Sequence, residues 1–594
     1  MNRSLSLTLS AFLALGCCDL LAAPQTTIGI WDTPEAVVEN AVKPDTSPEG
    51  GTLRLGALGA FDNFNPFSPR GVPAALSFLT YETLGESIGK DDFVMRGLLA
   101  ESVDIADDRL SMVVKLREEA SFSDGSPVRA DDVLWTFNAL MKDASPTYRN
   151  YYREITGAEV LDPLRIRFTF KNAENRELPL ILLQLPVLSK QNAEKVNLGE
   201  PAREPLIASG PYVYADWTMG ASLTLKKNPD WWGKSLAQNR GLYKFEQIRS
   251  DYFRDFTVMR EAFFAGNLDF FNEKTVKDWK LAYDLPAVRS GEIKRAEIPN
   301  DDVWGMTGVF MNTRRPLLAD RRVREAISLL FNFERVNKTI FFDSYHRITS
   351  FWTGSKRYAA TDPMTDEEKT LLESLPGIEA DNYLRLPSIP VHSANHTDRR
   401  IVRQAVRLLN KAGWTLQNGR MTNSSGETLQ LTLILRTPSL QRAFSAWSSD
   451  LARIGVTLRL QPLDQTQYFN RLRNFDFDLA LSTVRQSVNP GNEQRHFFSS
   501  RAADEANTRN YAGIKSPAVD RLIEMIASPE SRAKQTTAVR VLDRLLRTDT
   551  YVVPGWYSTE GRIAWWSTKI APPDGQLKDP DAVNVFTWHS LETK

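Results

Sequence analysis

Cysteine is almost absent from this sequence, and its two cysteines are adjacent, at Cys17 and Cys18. Both lie in the N-terminal leader described below, so the rest of the chain can form neither a disulfide framework nor a thiolate site. Histidine is also scarce, with five residues in 594. An enzyme would therefore have to rely on the chemistry of Asp and Glu alone.

An excess of charge of either sign is lacking as well. Lys plus Arg and Asp plus Glu number 73 each, so bulk charge favours neither a nucleic acid nor an anionic membrane as partner. Beyond the leader, no run reaches the roughly 18 apolar residues of a membrane-spanning helix. A phosphate-binding loop, a dinucleotide-binding glycine pattern and a G-x-S-x-G nucleophile motif are all missing. These absences leave a globular protein without the common motifs of enzymes.

The first 23 residues are typical of a secretory signal peptide. Arg3 supplies a positive charge, an apolar run covers residues 5–15, and small residues stand at Ala22 and Ala23. The stretch ALGC offers a second interpretation, a lipoprotein processing site with Cys17 as the lipidated residue, although Ala stands where that site prefers Leu. Both interpretations stay open, and both predict an exported, periplasmic protein.

Two of the histidines have the spacing of a zinc site. His392 and His396 are four residues apart, which on a helix places two ligands on one face. They follow a proline, however, and no Glu adjoins the first of them. The pattern favours a loop that leads into a helix capped by Thr397 or Asp398. We expect no metal and no other cofactor.

A cluster of acids at Asp124, Asp131 and Asp132 suggests a carboxylate pair for acid–base chemistry. The stretch DGSP predicts a turn, and acids in the first turn of a following helix complement the helix dipole. A structural role is therefore the better interpretation. A hydrolase that uses two unconnected carboxylates stays an alternative, because no sequence pattern identifies or excludes such a pair.

Hydrophobic periodicity predicts alternating strands and helices, and therefore an α/β fold. Apolar positions at helical spacing follow Asp320, a predicted N-cap. The predicted strands are 110–116, 164–170, 429–435, 456–460 and 475–481, and the predicted helices are 320–332, 399–412 and 443–454.

Four blocks of this sequence resemble the family 5 extracellular solute-binding proteins, the peptide-binding components of ABC importers. They are residues 97–137, 207–233, 261–270 and 309–336, in family order along the chain. Four further stretches resemble the YejA-like branch of that family, whose members are linked to oligopeptides, peptide-like antibiotics and muropeptides. These are residues 50–75, 251–266, 331–352 and 489–498.

The resemblance implies a class II periplasmic-binding-protein fold of the large peptide-binding type. Two lobes would close on a ligand around a hinge near Asn300 and Trp565. The implied division is 1–23 signal peptide, 24–70 first segment of lobe I, 71–205 subdomain inserted in lobe I, 206–302 second segment of lobe I, 303–564 lobe II and 565–594 C-terminal segment of lobe I. The implied partners are a peptide or muropeptide ligand and an inner-membrane ABC permease with its ATPase subunits. We expect a monomer that performs no catalysis.

The resemblance also directs attention to the loop RQSVNPGNEQR, residues 485–495, which follows the predicted strand 475–481. Many relatives anchor the ligand's amino group with an acid at this point, whereas here no acid occurs before Glu493. Amides suit a peptide backbone, and arginines suit a ligand carboxylate. On other segments, Asn65 lies at a strand-to-loop corner, Arg254 lies near the implied hinge, and Trp304 is placed to stack. The candidate binding residues are Asn65, Arg254, Trp304, Arg485, Gln486, Asn489, Asn492, Glu493 and Arg495. Phe497 and Phe498 are expected in a core.

Two alternatives remain. An exported hydrolase of peptidoglycan or glycans would release products. A metallophore receptor would retain metal, since the family includes nickel-carrying members, although the sparse histidines argue against it.

Overall fold

The computed structural model describes residues 27–29, 47–88, 91–300, 303–436, 438–573 and 585–592. The leader, with its predicted cleavage and lipidation positions, lies outside these ranges. The strands are β1 Thr27–Gly29, β2 Thr52–Leu58, β3 Gly85–Ile88, β4 Asp91–Gly97, β5 Ala100–Ile105, β6 Ser111–Leu116, β7 Ile155–Asp162, β8 Arg165–Phe170, β9 Tyr212–Thr218, β10 Ser222–Lys227, β11 Gln247–Phe253, β12 Phe270–Asn272, β13 Ile293–Pro299, β14 Met306–Met311, β15 His346–Arg347, β16 Thr415–Gln417, β17 Arg420–Thr422, β18 Gln430–Leu435, β19 Thr457–Pro462, β20 Leu479–Val484, β21 Val552–Pro554, β22 Trp556–Tyr557, β23 Glu560–Trp566, β24 Ile570–Ala571 and β25 His589–Ser590.

The helices connect these strands and cover both faces of the five-stranded sheet. They are α1 Ala130–Lys142, α2 Pro146–Tyr152, α3 Leu178–Leu183, α4 Lys190–Ala193, α5 Phe256–Phe264, α6 Val276–Leu281, α7 Pro286–Arg289, α8 Pro316–Ala319, α9 Arg321–Leu329, α10 Phe333–Ile340, α11 Asp366–Ser374, α12 Arg399–Lys411, α13 Gln441–Arg453, α14 Gln465–Arg473, α15 Glu493–Phe498, α16 Pro517–Ala527 and α17 Arg532–Thr548. None of the helices in the described part of the chain has the length and apolar character needed to cross a membrane.

The first lobe draws its strands from distant parts of the chain. One sheet has the order β2-β11-β10-β9, and its β2 and β11 pair in parallel from Thr52 and Gln247 onward. A second sheet, β12-β23-β13, takes its central strand from near the C-terminus. The chain must therefore return to this lobe after building the second one.

A subdomain inserted in the first lobe has its own sheet, in the order β5-β6-β8-β7. β8 alternates strictly, burying Ile166, Phe168 and Phe170 and exposing the residues between them, which is the pattern of a strand with one face on a core. The fully buried Asn63 ties this insertion to the lobe. Its amide nitrogen donates to the carbonyl of Arg70 at 3.2 Å, and its oxygen accepts from the backbone N–H of Ala202 at 2.8 Å.

The second lobe is a three-layer α/β structure. Its sheet has the order β19-β18-β20-β14-β21, with β18 parallel to both of its neighbours and β14 antiparallel to both of its own. Neighbouring residues of one strand enter different cores, because successive side chains point to opposite faces. Val309, Met311, Leu433 and Leu435 pack on the side of α9, α12 and α13, whereas Phe310, Ile434 and Ala480 pack on the side of α16 and α17.

Two adjacent chain segments join the lobes. β13 and β23 pair as far as Pro299 and Glu560, and the backbone N–H of Asn300 then donates to the carbonyl of Thr559 at 2.6 Å. Beyond this point one segment enters β14 and the other comes from β22, both in the second lobe. Trp565 lies inside β23, opposite Phe270. The predicted numerical boundaries of the lobes stay predictions.

Most predicted elements are present with ends moved by one or two residues, but two expectations were wrong. The helix predicted at 320–332 ends at Leu329, and the Asn332 side chain accepts from the N–H of Arg335 to begin α10. The strand predicted at 475–481 begins only at Leu479, because Phe475 has a φ of 55°, a left-handed conformation that ends an extended strand. Phe497 and Phe498 are buried in a core, as expected.

The carboxyl group of Glu82 holds part of the first lobe together. It is buried, and it accepts from the indole N–H groups of Trp231 at 3.1 Å and Trp232 at 2.7 Å. Burial outweighs these hydrogen bonds and raises its pKa to about 8, with a smaller contribution from Glu86. The folded protein therefore retains a proton that the unfolded chain releases near pH 4.5.

We expect Glu82→Gln to reduce the dependence of stability on pH. Because the folded pKa is raised, the wild-type protein loses stability as pH rises from about 4.5 to about 8, by up to roughly 1.4 kcal/mol per pKa unit. The amide of the Glu82→Gln variant cannot ionise. The variant should therefore be less stable than wild type at pH 5, and this difference in the free energy of unfolding should be smaller at pH 8. Urea unfolding at both pH values measures this, with Glu204→Gln, a change at an exposed acid, as the control. A constant difference between Glu82→Gln and wild type would contradict it.

Candidate ligand-binding cleft

The segments that follow β12 and β20 both adjoin the connection between the lobes. Lys274 follows β12, and the neighbouring Glu273 N–H donates to the carbonyl of Arg562 on β23 at 2.8 Å. Arg485 follows β20, next to Gly305 of the connecting segment. A Cβ at Gly305 would lie only 3.0 Å from the Arg485 Cα. Burial, and then the charge of Arg485, lower the pKa of Lys274, although its side chain keeps solvent contact. The charge of Arg485 in the second lobe therefore acts on Lys274 in the first.

The loop 485–492 after β20 is held by its own polar groups. The side-chain nitrogen of Gln494 donates to the Gln486 oxygen at 2.6 Å, and both residues are buried. Glu493 accepts from the N–H of Gly491 at 3.0 Å and from the hydroxyl of Ser487 at 3.1 Å. The loop is therefore a preformed surface, and Arg485 is its exposed cation.

This loop also makes a contact between the lobes. Glu177, just before α3 of the inserted subdomain, accepts from the Asn492 amide at 3.3 Å, and the same amide donates to Asn175 at 3.2 Å. Glu177 lies directly over Gly491, where a Cβ would be 1.8 Å from its Oε1. Only glycine permits an approach this close.

The contact brings two carboxyl groups together. Burial and then the charge of Glu493 raise the pKa of Glu177 to about 8, and burial raises the pKa of Glu493. Other charges face the pair: Arg495 contacts Asn492 and is paired with Glu524, while Glu154 accepts from Asn175 at 2.7 Å. Because Arg495 already has a carboxylate partner, it neutralises the pair incompletely. Contact between the lobes therefore takes up a proton at neutral pH.

Aromatic rings and donors without acceptors lie around the same hinge. The ring of Trp304 is 6.5 Å from that of Tyr557, and its indole N–H is buried without a hydrogen-bond acceptor among the described residues. Arg562 of the first lobe lies 5.9 Å from the ring of Tyr345 in the second, and its Nε also has no hydrogen-bond acceptor in the described chain. Surplus donors of this kind suit a ligand rich in carbonyl or carboxylate oxygens.

The structure brings together part of the predicted residue set. Arg485, Gln486, Asn489, Asn492, Glu493 and Arg495 lie on or next to the loop, and Trp304 lies at the hinge. Gln486 and Asn489 are buried. Arg254 is exposed beside Asp255. Asn65 is fully buried, and its amide nitrogen donates to the carbonyls of Leu198 and Glu200 at 3.0 and 2.9 Å. Ligand contact by each of these residues stays a prediction.

Sequence reasoning missed three residues of this region, Glu177, Lys274 and Arg562. Lys274 had a usable signal, because it follows a buried strand just as Arg485 does, and strand ends collect functional groups in α/β folds. Glu177 and Arg562 carried no local signal. Their positions depend on which distant segments pack together.

Other groups of polar residues in the described chain are weaker candidates for a functional site. The described residues contain no group of three potential metal ligands. His392 is buried with Nε2 3.0 Å from the carbonyl of Leu329, a structural contact. A cavity of about 560 Å³ lies on the second lobe beside α11 and α17, and its lining mixes Arg357 and Arg540 with Glu367 and Glu368.

Comparison with known proteins defines the class. The model of the family "Bacterial extracellular solute-binding proteins, family 5 Middle" matches residues 94–505 of this chain. The chain therefore belongs to this family. The chain covers all of a nonapeptide-bound Bacillus subtilis oligopeptide-binding protein, AppA. That structure covers 92% of this chain at 19% identity with a TM-score of 0.65. The two-lobed solute-binding fold expected from the sequence is thereby confirmed.

Within the family the chain belongs to the YejA-like branch. It is 35% identical over 551 residues to the Agrobacterium fabrum "Probable peptide-binding protein YejA", covering 90% of this chain and 89% of that protein. It is 31% identical over 589 residues to the "Peptidoglycan-binding protein YepA" of the same organism, covering 95% and 96%. These relatives and the fold are those of binding proteins, which favours the binding interpretation over the hydrolase.

We expect alkaline pH to separate the lobes in the wild-type protein and not in Glu177→Gln. The contact binds more protons than separated lobes do, so it weakens as pH rises from about 4.5 through about 8. Small-angle scattering from pH 5 to pH 9 should show the wild-type radius of gyration increasing. Glu174→Gln, an exposed change three residues away, is the control. A pH profile of Glu177→Gln identical to that of wild type would refute this.

Gly491→Ala should loosen the same contact by steric means. The added methyl group would displace the Glu177 carboxyl group from Asn492. Because this group ends a flexible side chain, the cost is that of one hydrogen bond, about 1 kcal/mol. Amide exchange in residues 172–178 should then be about five-fold faster. The control is Gly157→Ala, where a Cβ meets nothing closer than 3.9 Å. Unchanged exchange in Gly491→Ala would count against the contact.

Proposed function

We propose that this chain is the exported substrate-binding protein of an ABC importer for oligopeptides or peptide-like compounds, muropeptides among them. It captures the ligand between its lobes in the periplasm and delivers it to an inner-membrane permease with ATPase subunits. It acts as a monomer and performs no chemistry on the ligand.

The observation that carries this proposal is the cleft between the lobes. Its exposed cation Arg485 and the donor-rich surroundings of Trp304 and Arg562 match the many oxygen acceptors of a peptide. The names of the relatives support the same chemistry, since one is called peptide-binding and another peptidoglycan-binding. The stem of peptidoglycan is itself peptide-like, so one cleft can suit both kinds of ligand.

Among the predicted residues, Arg485 and Trp304 are the best placed for direct contact. The Arg485 side chain is exposed in the cleft, and the Trp304 N–H has no acceptor in the described chain. Gln486, Asn489, Asn492 and Glu493 would instead shape the loop that presents Arg485. The absence of an acid at the usual amine anchor predicts weak dependence on a free ligand amine.

The first test is ligand-raised stability without turnover. A mixture of tri- to pentapeptides and a separate digest of peptidoglycan stem peptides should each be offered to the purified protein. At a hundred-fold excess over the dissociation constant, a ligand adds about 2.7 kcal/mol of stability, which raises the melting temperature by several degrees. Mass spectrometry of the incubated mixtures should show unchanged masses. Cleavage products would favour the hydrolase, and an unchanged melting temperature with both mixtures would contradict peptide binding.

A further inference from the structure

The exposed face of α12 concentrates positive charge on the second lobe. This helix of 13 residues contains five cations and neither Asp nor Glu. All five cations are exposed: Arg399, Arg400, Arg403, Arg407 and Lys411. At 3.6 residues per turn they fall within an arc of about 120° on the helix surface. The chain as a whole has no excess of charge, so the excess belongs to this one surface.

The opposite face of α12 fixes the direction in which these cations point. Ala405 and Leu409 are fully buried in the core on that side of the five-stranded sheet, and Ile401, Val402 and Leu408 pack against the same core. Because the lobe holds the apolar face, the basic face must point to solvent. α12 is thus a basic amphipathic helix whose apolar side is already occupied. Charge is the property with which it can bind a partner.

The acids at the starts of α12 and α9 neutralise only part of this surface. Asp398 caps α12 and lies 3.1 Å from Arg400. Asp320 caps α9 and lies 2.6 Å from Arg322. Among the described residues, no carboxylate forms an ion pair with the other four cations of α12, which are Arg399, Arg403, Arg407 and Lys411.

The neighbouring helix does not supply the missing negative charge. α9 packs against α12, and Nη1 of Arg322 donates to the carbonyl of Lys411 at 2.6 Å. This contact adds a further cation at the C-terminal end of α12. The one acid within α9 is the half-buried Glu325, and a single carboxylate cannot neutralise five cations.

Repeated cations of this kind suit a surface with many dispersed negative charges better than one small ligand. A bilayer with anionic phospholipid headgroups is such a surface, and each Lys or Arg close to it strengthens binding roughly five-fold. We propose that the basic face of α12 binds the second lobe to membranes that expose anionic phospholipids. This inference goes beyond the proposed function, because the attraction needs neither a ligand nor a permease. It would keep an exported protein beside the membrane to which it delivers its ligand.

Sedimentation with lipid vesicles tests this on the wild-type protein. One set of vesicles contains phosphatidylcholine alone, and in the other about one-third of the lipid is phosphatidylglycerol. At low salt the anionic vesicles should bind the protein at least roughly a hundred-fold more tightly. Salt at about 1 M, where the screening length is about 3 Å, should abolish the difference. A lipid on Cys17 would bind both kinds of vesicle alike, so the difference between them is the readout.

Combined replacement of three exposed cations of α12 identifies the surface. Arg399→Gln, Arg403→Gln and Arg407→Gln together should weaken binding to the anionic vesicles roughly a hundred-fold. The control removes three exposed cations of the first lobe, by Lys195→Gln, Lys226→Gln and Arg240→Gln, and should bind as wild type does.

Three results would overturn the proposal. Equal binding of wild type to both kinds of vesicle at low salt would exclude the lipid and leave an acidic protein as the partner of this face. A preference for anionic vesicles that the α12 variant retains would place the binding surface elsewhere. An equal loss in both triple variants would attribute the attraction to net charge and not to α12.

Discussion

Contact between the two lobes places two carboxyl groups side by side, and the behaviour of the cleft depends on how their repulsion is relieved. At the edge of the cleft, Glu177 and Glu493 come together, and a bound proton relieves the repulsion. At the junction of the lobes the charge of Arg485 also acts on Lys274, and the charge of Glu273 opposes that effect. In water two unit charges 4 Å apart repel by about 1 kcal/mol, and near a protein surface by about 4 kcal/mol. Such energies are large enough to set an equilibrium between open and closed lobes.

The rest of the fold forms the rigid lobes to which these charged residues belong. The second lobe has two extensive buried cores on opposite faces of one sheet, and the inserted subdomain shares a third core with Phe67, Trp231 and Trp232 of the first lobe. The connection between the lobes has far fewer packed residues than the lobes themselves. It consists of two neighbouring segments, which are paired as strands as far as Pro299 and Glu560. Interiors are close-packed and deform little, so motion concentrates where few groups are packed. Small charge interactions at the cleft can therefore be expressed as movement of whole lobes.

The sequence was sufficient for the class of fold and for much of the local structure. The alternation of β8, the helix after Asp398 and the loop after β20 followed from periodicity, capping and turn chemistry. Prediction from the sequence failed where backbone conformation or distant packing sets the ends of an element. The left-handed φ of Phe475 makes β20 begin later than expected, and Asn332 divides the predicted helix into two. The pairing of Glu177 with Gly491, more than 300 residues away, could not be predicted, because no local pattern says which loop an inserted subdomain will meet.

The central claim is that a peptide-like ligand draws the two lobes together. The scarcity of cysteine makes this measurable, because Cys17 and Cys18 can be changed to Ser and one new cysteine placed on each lobe, at the exposed Lys171 and Arg501. Spin labels at these positions report the distance between the lobes. Adding the mixture of tri- to pentapeptides or the digest of stem peptides should shorten and narrow the distance distribution. A distribution that stays unchanged with both would contradict the account.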